Sequence, residues 1–140
     1  MSGEQAEWLL MVDVAARGNP GDACCGAVIC DESGKVVKEL SRYLGRTTNN
    51  VAEYEGLLMG LDALVQLGRK KISVQSDSQL LVRQLNGEYR VKDEKLKVLY
   101  QRAMTLLRQF DAYRILHVYR EMNKLADRLA NRGIDEASRR

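Results

Sequence analysis

A chain of 140 residues, 45% apolar and 29% charged with 11 glycines and 1 proline, suits one folded core and is unlike a disordered or collagen-like polymer. No apolar run approaches the roughly 18 residues of a membrane span, and the first seven residues carry two acids where a secretory leader is basic, so one cytoplasmic domain over residues 1–140, with no membrane partner, is expected. The net charge of +3 hides an asymmetry: residues 1–60 hold 5 bases and 9 acids, the remainder 17 and 10. This suggests acids gathered in the first half and an anionic partner for the second, or simply a solvated basic helical surface.

Residues 8–14 form an apolar run that predicts a strand ending near Asp13, followed by strong turn chemistry at Arg17-Gly18-Asn19-Pro20-Gly21. Residues 24–30 and 36–43 read as two further strands of an antiparallel meander. Apolar spacing then becomes helical over residues 51–68, where Gly68 reads as the stop. Residues 72–75 predict a short strand, 80–85 a short helix, 93–109 an amphipathic helix, 113–119 a strand and 122–131 a last helix. Three strands before any crossover imply an α/β fold with a mixed five-stranded sheet flanked by helices, not a doubly wound parallel sheet. Neither G-x-G-x-x-G nor a P-loop occurs, which argues against a nucleotide cofactor.

The single histidine, His117, lies in an alternating run that reads as strand and has no nucleophile motif beside it, which excludes a two-imidazole acid–base mechanism. Cys24, Cys25 and Cys30 are odd in number, lack C-x-x-C spacing and sit in one apolar stretch, so they read as reduced packing residues. Carboxylates remain. Asp13 closes the first strand, or initiates the turn. Glu53 sits three residues after Asn50, in a pattern that also suits a capping box. Asp77 follows a strand and precedes a helix, as an N-cap or a ligand-binding group at a strand's carboxyl end. Asp127 falls on the edge of the apolar stripe of the last helix (Met122, Leu125, Ala126, Leu129), away from Lys124, Arg128 and Arg132. If these four converge at one end of the sheet, their mutual repulsion calls for cations, and an all-oxygen set suits Mg²⁺ or Mn²⁺.

Four segments in order, Asp13-Val14-Ala15-Ala16-Arg17-Gly18-Asn19-Pro20-Gly21, Thr48-Asn49-Asn50-Val51-Ala52-Glu53, Ser76-Asp77-Ser78-Gln79 and Arg120-Glu121-Met122-Asn123-Lys124-Leu125-Ala126-Asp127, resemble the signatures of ribonuclease HI. The resemblance spans residues 8–133. It implies a ribonuclease H-like fold and an endonuclease that cuts the RNA strand of RNA/DNA hybrids with two Mg²⁺ ions, Mn²⁺ substituting, to leave 5′-phosphate and 3′-hydroxyl ends. Asp13, Glu53, Asp77 and Asp127 are then the metal ligands, with Glu53 also near the RNA 2′-hydroxyls. Asn19, Asn49 and Gln79 match minor-groove contacts, where amides can both donate to and accept from a 2′-hydroxyl. Thr48 matches a grip on a DNA-strand phosphate. A monomer with no protein partner is expected.

Three departures stand out. Val14 occupies a position usually held by glycine. The histidine-bearing loop of many relatives has no room between Tyr119 and the last helix, and Arg120 stands where short-loop relatives place an arginine that can act on the scissile or departing phosphate. The extra basic helix of longer relatives is also missing, leaving Lys92, Lys95, Lys97 and Arg102 as partial substitutes. Val14 and the missing loop keep open a catalytically silent hybrid-binding module, and a related nuclease with the same core that acts on double-stranded RNA is a further alternative.

Overall fold

The computed structural model describes residues 6–120 and 123–138; Glu121 and Met122, which belong to the fourth segment and the last apolar stripe, lie outside the described residues. The first three strands, β1 (Trp8–Gly18), β2 (Gly21–Cys30) and β3 (Val36–Thr47), form the expected antiparallel meander. Helix α1 (Asn49–Gln66) crosses to β4 (Lys71–Ser76), and two helices, α2 (Gln79–Leu85) and α3 (Glu94–Leu107), lead to β5 (Ala112–His117). The chain ends in α4 (Lys124–Ser138). Strand order is β3-β2-β1-β4-β5, with β4 parallel to both neighbours, so the mixed sheet follows the predicted topology.

Pleating separates the two faces of β1. Leu10 and Val12 point into the larger core with Leu57, Leu61 and Leu64 of α1 and Leu99 and Leu107 of α3. Each such leucine contributes about 1.5–3 kcal/mol of transfer free energy. Met11 and Ala15 point the other way, onto Ala126, Leu129, Ala130 and Ile134 of α4. Asp13 lies between Met11 and Ala15 in this alternation, on the α4 side, whereas Val14 is directed to the opposite face. The three cysteines are buried and unpaired with one another, and burial pushes the Cys25 thiol up to about 12. His117 is exposed at the end of β5, edge-on to Tyr119.

Several element ends differ from expectation. β1 runs on to Gly18 and only Asn19 and Pro20 connect it to β2, because Gly21 lies so close to the Arg17 carbonyl that a Cβ there would sit 2.0 Å from it. α1 begins at Asn49, and α4 continues beyond residue 131 to Ser138. Gly133 does not stop α4; its bare Cα instead lets the helix pass over Cys24, whose Sγ a Cβ would meet at 2.2 Å.

Candidate active site

Each of the four acids has a more ordinary local role available from sequence, and in two cases the fold gives that role to a neighbour. Asp13 initiates no turn: β1 continues five residues past it, and it pairs with Gly26 inside the sheet. The N-cap of α1 is Thr48, whose Oγ1 accepts from the Val51 N–H at 3.3 Å, so Asn50 and Glu53 form no capping box. The N-cap of α2 is Ser78, whose Oγ accepts from the Leu81 N–H at 3.2 Å, which leaves the Asp77 carboxylate out of the cap. Asp127 lies in the first turn of α4, where the helix dipole favours an acid.

Register brings the acids together. β1 and β4 are parallel, and their pairing ends at Val12 opposite Ser76, so Asp13 and Asp77 are the next residues on adjacent strands. Gly26 lies opposite Asp13, and a Cβ there would stand 2.6 Å from the Ala126 carbonyl and 2.9 Å from the Ala130 amide nitrogen. The missing side chain therefore seats α4 directly on the sheet beside Asp13, and Asp127 comes within hydrogen-bond reach of the Asp13 carboxyl. On the other face, Gly56 of α1 packs so closely on Cys25 that a Cβ there would stand 3.0 Å from the Cys25 Cβ and 4.0 Å from the Asp13 carbonyl oxygen. One turn earlier on α1, Glu53 meets Ser78 and feels the charge of Asp77.

The electrostatics follow from this crowding. Burial, then the contact with Asp127, and then the charges of Asp77 and Asp127 push Asp13 up to about 8, against the lowering effect of a 2.8 Å hydrogen bond donated by the Val14 N–H to Oδ1. Burial chiefly, with Asp77, pushes Glu53 up to about 7, while a hydrogen bond from Ser78 opposes the rise. Arg120 Nη2 stands 3.4 Å from Asp127 Oδ1, and Asp127, Asp13 and Asp77 all act to raise its pKa. The acids have different immediate partners, and among the described residues no three acidic, histidine or cysteine side chains form a ready-made metal cluster. The residues nevertheless fit a hard divalent ion on one specific point: among the described residues Asp13 Oδ2 is buried without a hydrogen-bond partner, an oxygen for which a cation is the natural complement.

The remaining predicted residues lie around this centre. Asn19 Oδ1 accepts from the Asn49 N–H at 3.1 Å, tying the β1–β2 turn to the start of α1, and Asn49 Oδ1 is buried and unpartnered among the described residues. Asn19 and Thr48 line a groove of about 500 Å³ together with Arg46 and Lys95. Gln79 is exposed on the first turn of α2, beside His117 and Arg83. Of the bases expected to substitute for the missing helix, Lys95 and Arg102 are exposed, while Lys97 is half-buried and paired with Glu94 at 3.3 Å. Arg46 was not singled out by sequence, although its signal was present: a base two residues before Thr48 at the end of a strand. Asn123, which the helical period puts with Asp127 at the edge of the apolar stripe but to which sequence assigned no role, is fully buried, and its Nδ2 donates to the Val12 carbonyl at 2.8 Å.

A family model described as reverse transcriptase-like matches residues 11–133. The chain is 42% identical over 125 residues to ribonuclease HI of Halobacterium salinarum, covering 89% of this chain and 63% of that protein. The chain belongs to the ribonuclease H family. It is also 43% identical over 131 residues to a bifunctional protein of Mycobacterium tuberculosis, of which it spans 36%. It thus covers less than two-thirds of the length of either relative. The N-terminal RNase H domain of the mycobacterial protein superposes with a TM-score of 0.92 at 41% identity, covering 96% of this chain and 98% of that one. LC11-RNase H1, solved in complex with an RNA/DNA hybrid, superposes at 0.89 with 40% identity, covering 94% and 99%.

Proposed function

We propose that this chain is an endoribonuclease that hydrolyses the RNA strand of RNA/DNA hybrids with two Mg²⁺ ions, Mn²⁺ substituting, leaving 5′-phosphate and 3′-hydroxyl ends. The observation that carries the reading is the meeting of Asp13, Asp77 and Asp127 where the β1–β4 pairing ends, with Glu53 reaching Asp77 from α1. Family membership and a relative solved with a hybrid support the substrate.

The four acids would hold the ions. Such a pair, when bound, supplies Lewis-acid activation of water and stabilisation of the leaving oxygen. Asp13 contributes a buried, unpartnered oxygen, and the rigid β1–β4 register fixes it beside Asp77. Glu53 and Asp127 approach from helices on opposite faces of the sheet. Arg120, exposed and paired with Asp127 at 3.4 Å, would meet a phosphate without giving up that neighbourhood. Asn19 and Thr48 border a groove whose bases, Arg46 and Lys95, suit a DNA-strand phosphate, while Asn49 and Gln79 offer amides to RNA 2′-hydroxyls. A cytoplasmic monomer is part of the same proposal.

The test compares cleavage of an RNA/DNA hybrid, double-stranded RNA and double-stranded DNA, each with Mg²⁺, Mn²⁺ or EDTA. Metal-dependent cutting confined mainly to the RNA of the hybrid, with 5′-phosphate products, is the expected result. Binding without cutting under every metal condition would assign the chain to the silent hybrid-binding class instead, and faster cutting of the RNA duplex would overturn the substrate.

A further inference from the structure

We infer that Asn123 is a positioning residue that sets how closely Asp127 is held to Asp13, and through that spacing sets the affinity for divalent metal. The inference rests on the two-ion reading above. Asn123 is 0% exposed, yet it is a polar residue without charge or obvious ligand duty. Its Nδ2 donates at 2.8 Å to the carbonyl of Val12, the residue immediately before Asp13 and the one at which β1 stops pairing with β4. Its own carbonyl accepts from the Asp127 N–H at 3.1 Å, closing the first turn of α4. One side chain and one peptide group therefore link the Val12 carbonyl, just before Asp13, to the Asp127 N–H, the side-chain bond alone spanning 111 residues of sequence.

The amide can point only one way. A carbonyl accepts and cannot donate, so Nδ2 must face Val12 and Oδ1 must face away. Among the described residues that Oδ1, like Oδ2 of nearby Asp13, is buried without a hydrogen-bond partner. Two unpartnered buried oxygens beside one junction are costly in a merely structural tether, where an apolar contact would avoid the penalty. They are consistent with a junction whose spacing is set for a bound cation and its polar shell.

The experiment titrates the metal-free chain with Mg²⁺ and with Mn²⁺ by calorimetry, and separately follows hybrid cleavage against Mg²⁺ concentration. Asn123→Ala is expected to raise the metal dissociation constant and the half-saturating Mg²⁺ about tenfold or more, with the rate at saturating metal largely restored. Ile115→Val, a core truncation on β5 away from the junction, controls for lost stability and leaves both values unchanged. Asn123→Leu, which removes the donor with little change in volume, is read in the same way if the alanine form does not fold. Metal affinity equal to the parent in a folded Asn123 variant overturns the inference while leaving the nuclease reading intact. A parent chain that binds neither metal overturns both.

Discussion

Asp13 is where burial and charge conflict most directly. It is 8% exposed, one oxygen takes the Val14 N–H, the other has no hydrogen-bond partner among the described residues, and two further acids face it. Burial and these neighbours raise its pKa from 3.8 in the unfolded chain to about 8. The folded state therefore holds a proton more tightly, and stability that is complete below pH 4 declines as pH rises towards 8. An asparagine at this position has no such dependence. In EDTA, Asp13→Asn is expected to melt above the parent at pH 8 by about 3 °C or more, near 1 kcal/mol for a domain of this size, with the gap closing towards pH 4; a lower melting temperature at pH 8 would contradict the crowding of acids. Asp77→Asn removes one proposed ligand with almost no change in volume, so cleavage should fall by at least about 100-fold while the circular dichroism spectrum is unchanged, and near-normal turnover would refute the assignment. Sequence placed these residues but could not exclude their ordinary roles, because Asx turns, capping boxes and N-caps use the same residue types as metal sites. Only the capping hydrogen bonds of Thr48 and Ser78 show which neighbours took those roles.

Among the elements, α4 depends most on residues with nothing to offer in chemistry. Gly26 on β2 and Gly133 on α4 are the points of closest approach between helix and sheet. At Gly26 a methyl group would meet backbone atoms, which cannot rotate away. Gly26→Ala is therefore expected to cost about 1–3 kcal/mol of stability, measured by urea denaturation, and to reduce cleavage as α4 and Asp127 lift from Asp13; a variant with parental stability and activity would show that the seat is not tight. This dependence was invisible in sequence, where glycine in a helix reads as a stop and glycine in a strand as a weakness. The periodic cores of α1 and α3 were legible because Leu57, Leu61, Leu64, Leu99 and Leu107 repeat at helical spacing. The ends of β1 and α4 were not: Ala15 packs on α4 and Ile134 on the sheet, so both elements continue through tertiary contacts that no local pattern announces.

For the molecule as a whole, the order of three meander strands before the first crossover was enough to imply the mixed sheet, since strand connectivity limits how five strands can be arranged. The charge asymmetry was legible too, although its distribution was not. Lys95 borders the groove with Arg46 and Thr48, whereas Lys97 is already occupied by Glu94. Hybrid affinity measured from low to moderate salt is expected to fall steeply. Lys95→Ala should weaken binding uniformly across sequences and lower the salt slope by about 1, while Lys97→Ala does less; the reverse order would move the nucleic acid off this groove.

The central claim is that acids from β1, α1, α4 and the residue following β4 act as one metal-binding group, and anomalous diffraction from a crystal grown with Mn²⁺ and a hybrid tests it without reference to rate. Two peaks about 4 Å apart, shared by the carboxylates of Asp13, Glu53, Asp77 and Asp127, are expected. Peaks bound elsewhere, or none at these residues in crystals that hold both Mn²⁺ and the hybrid, would contradict it.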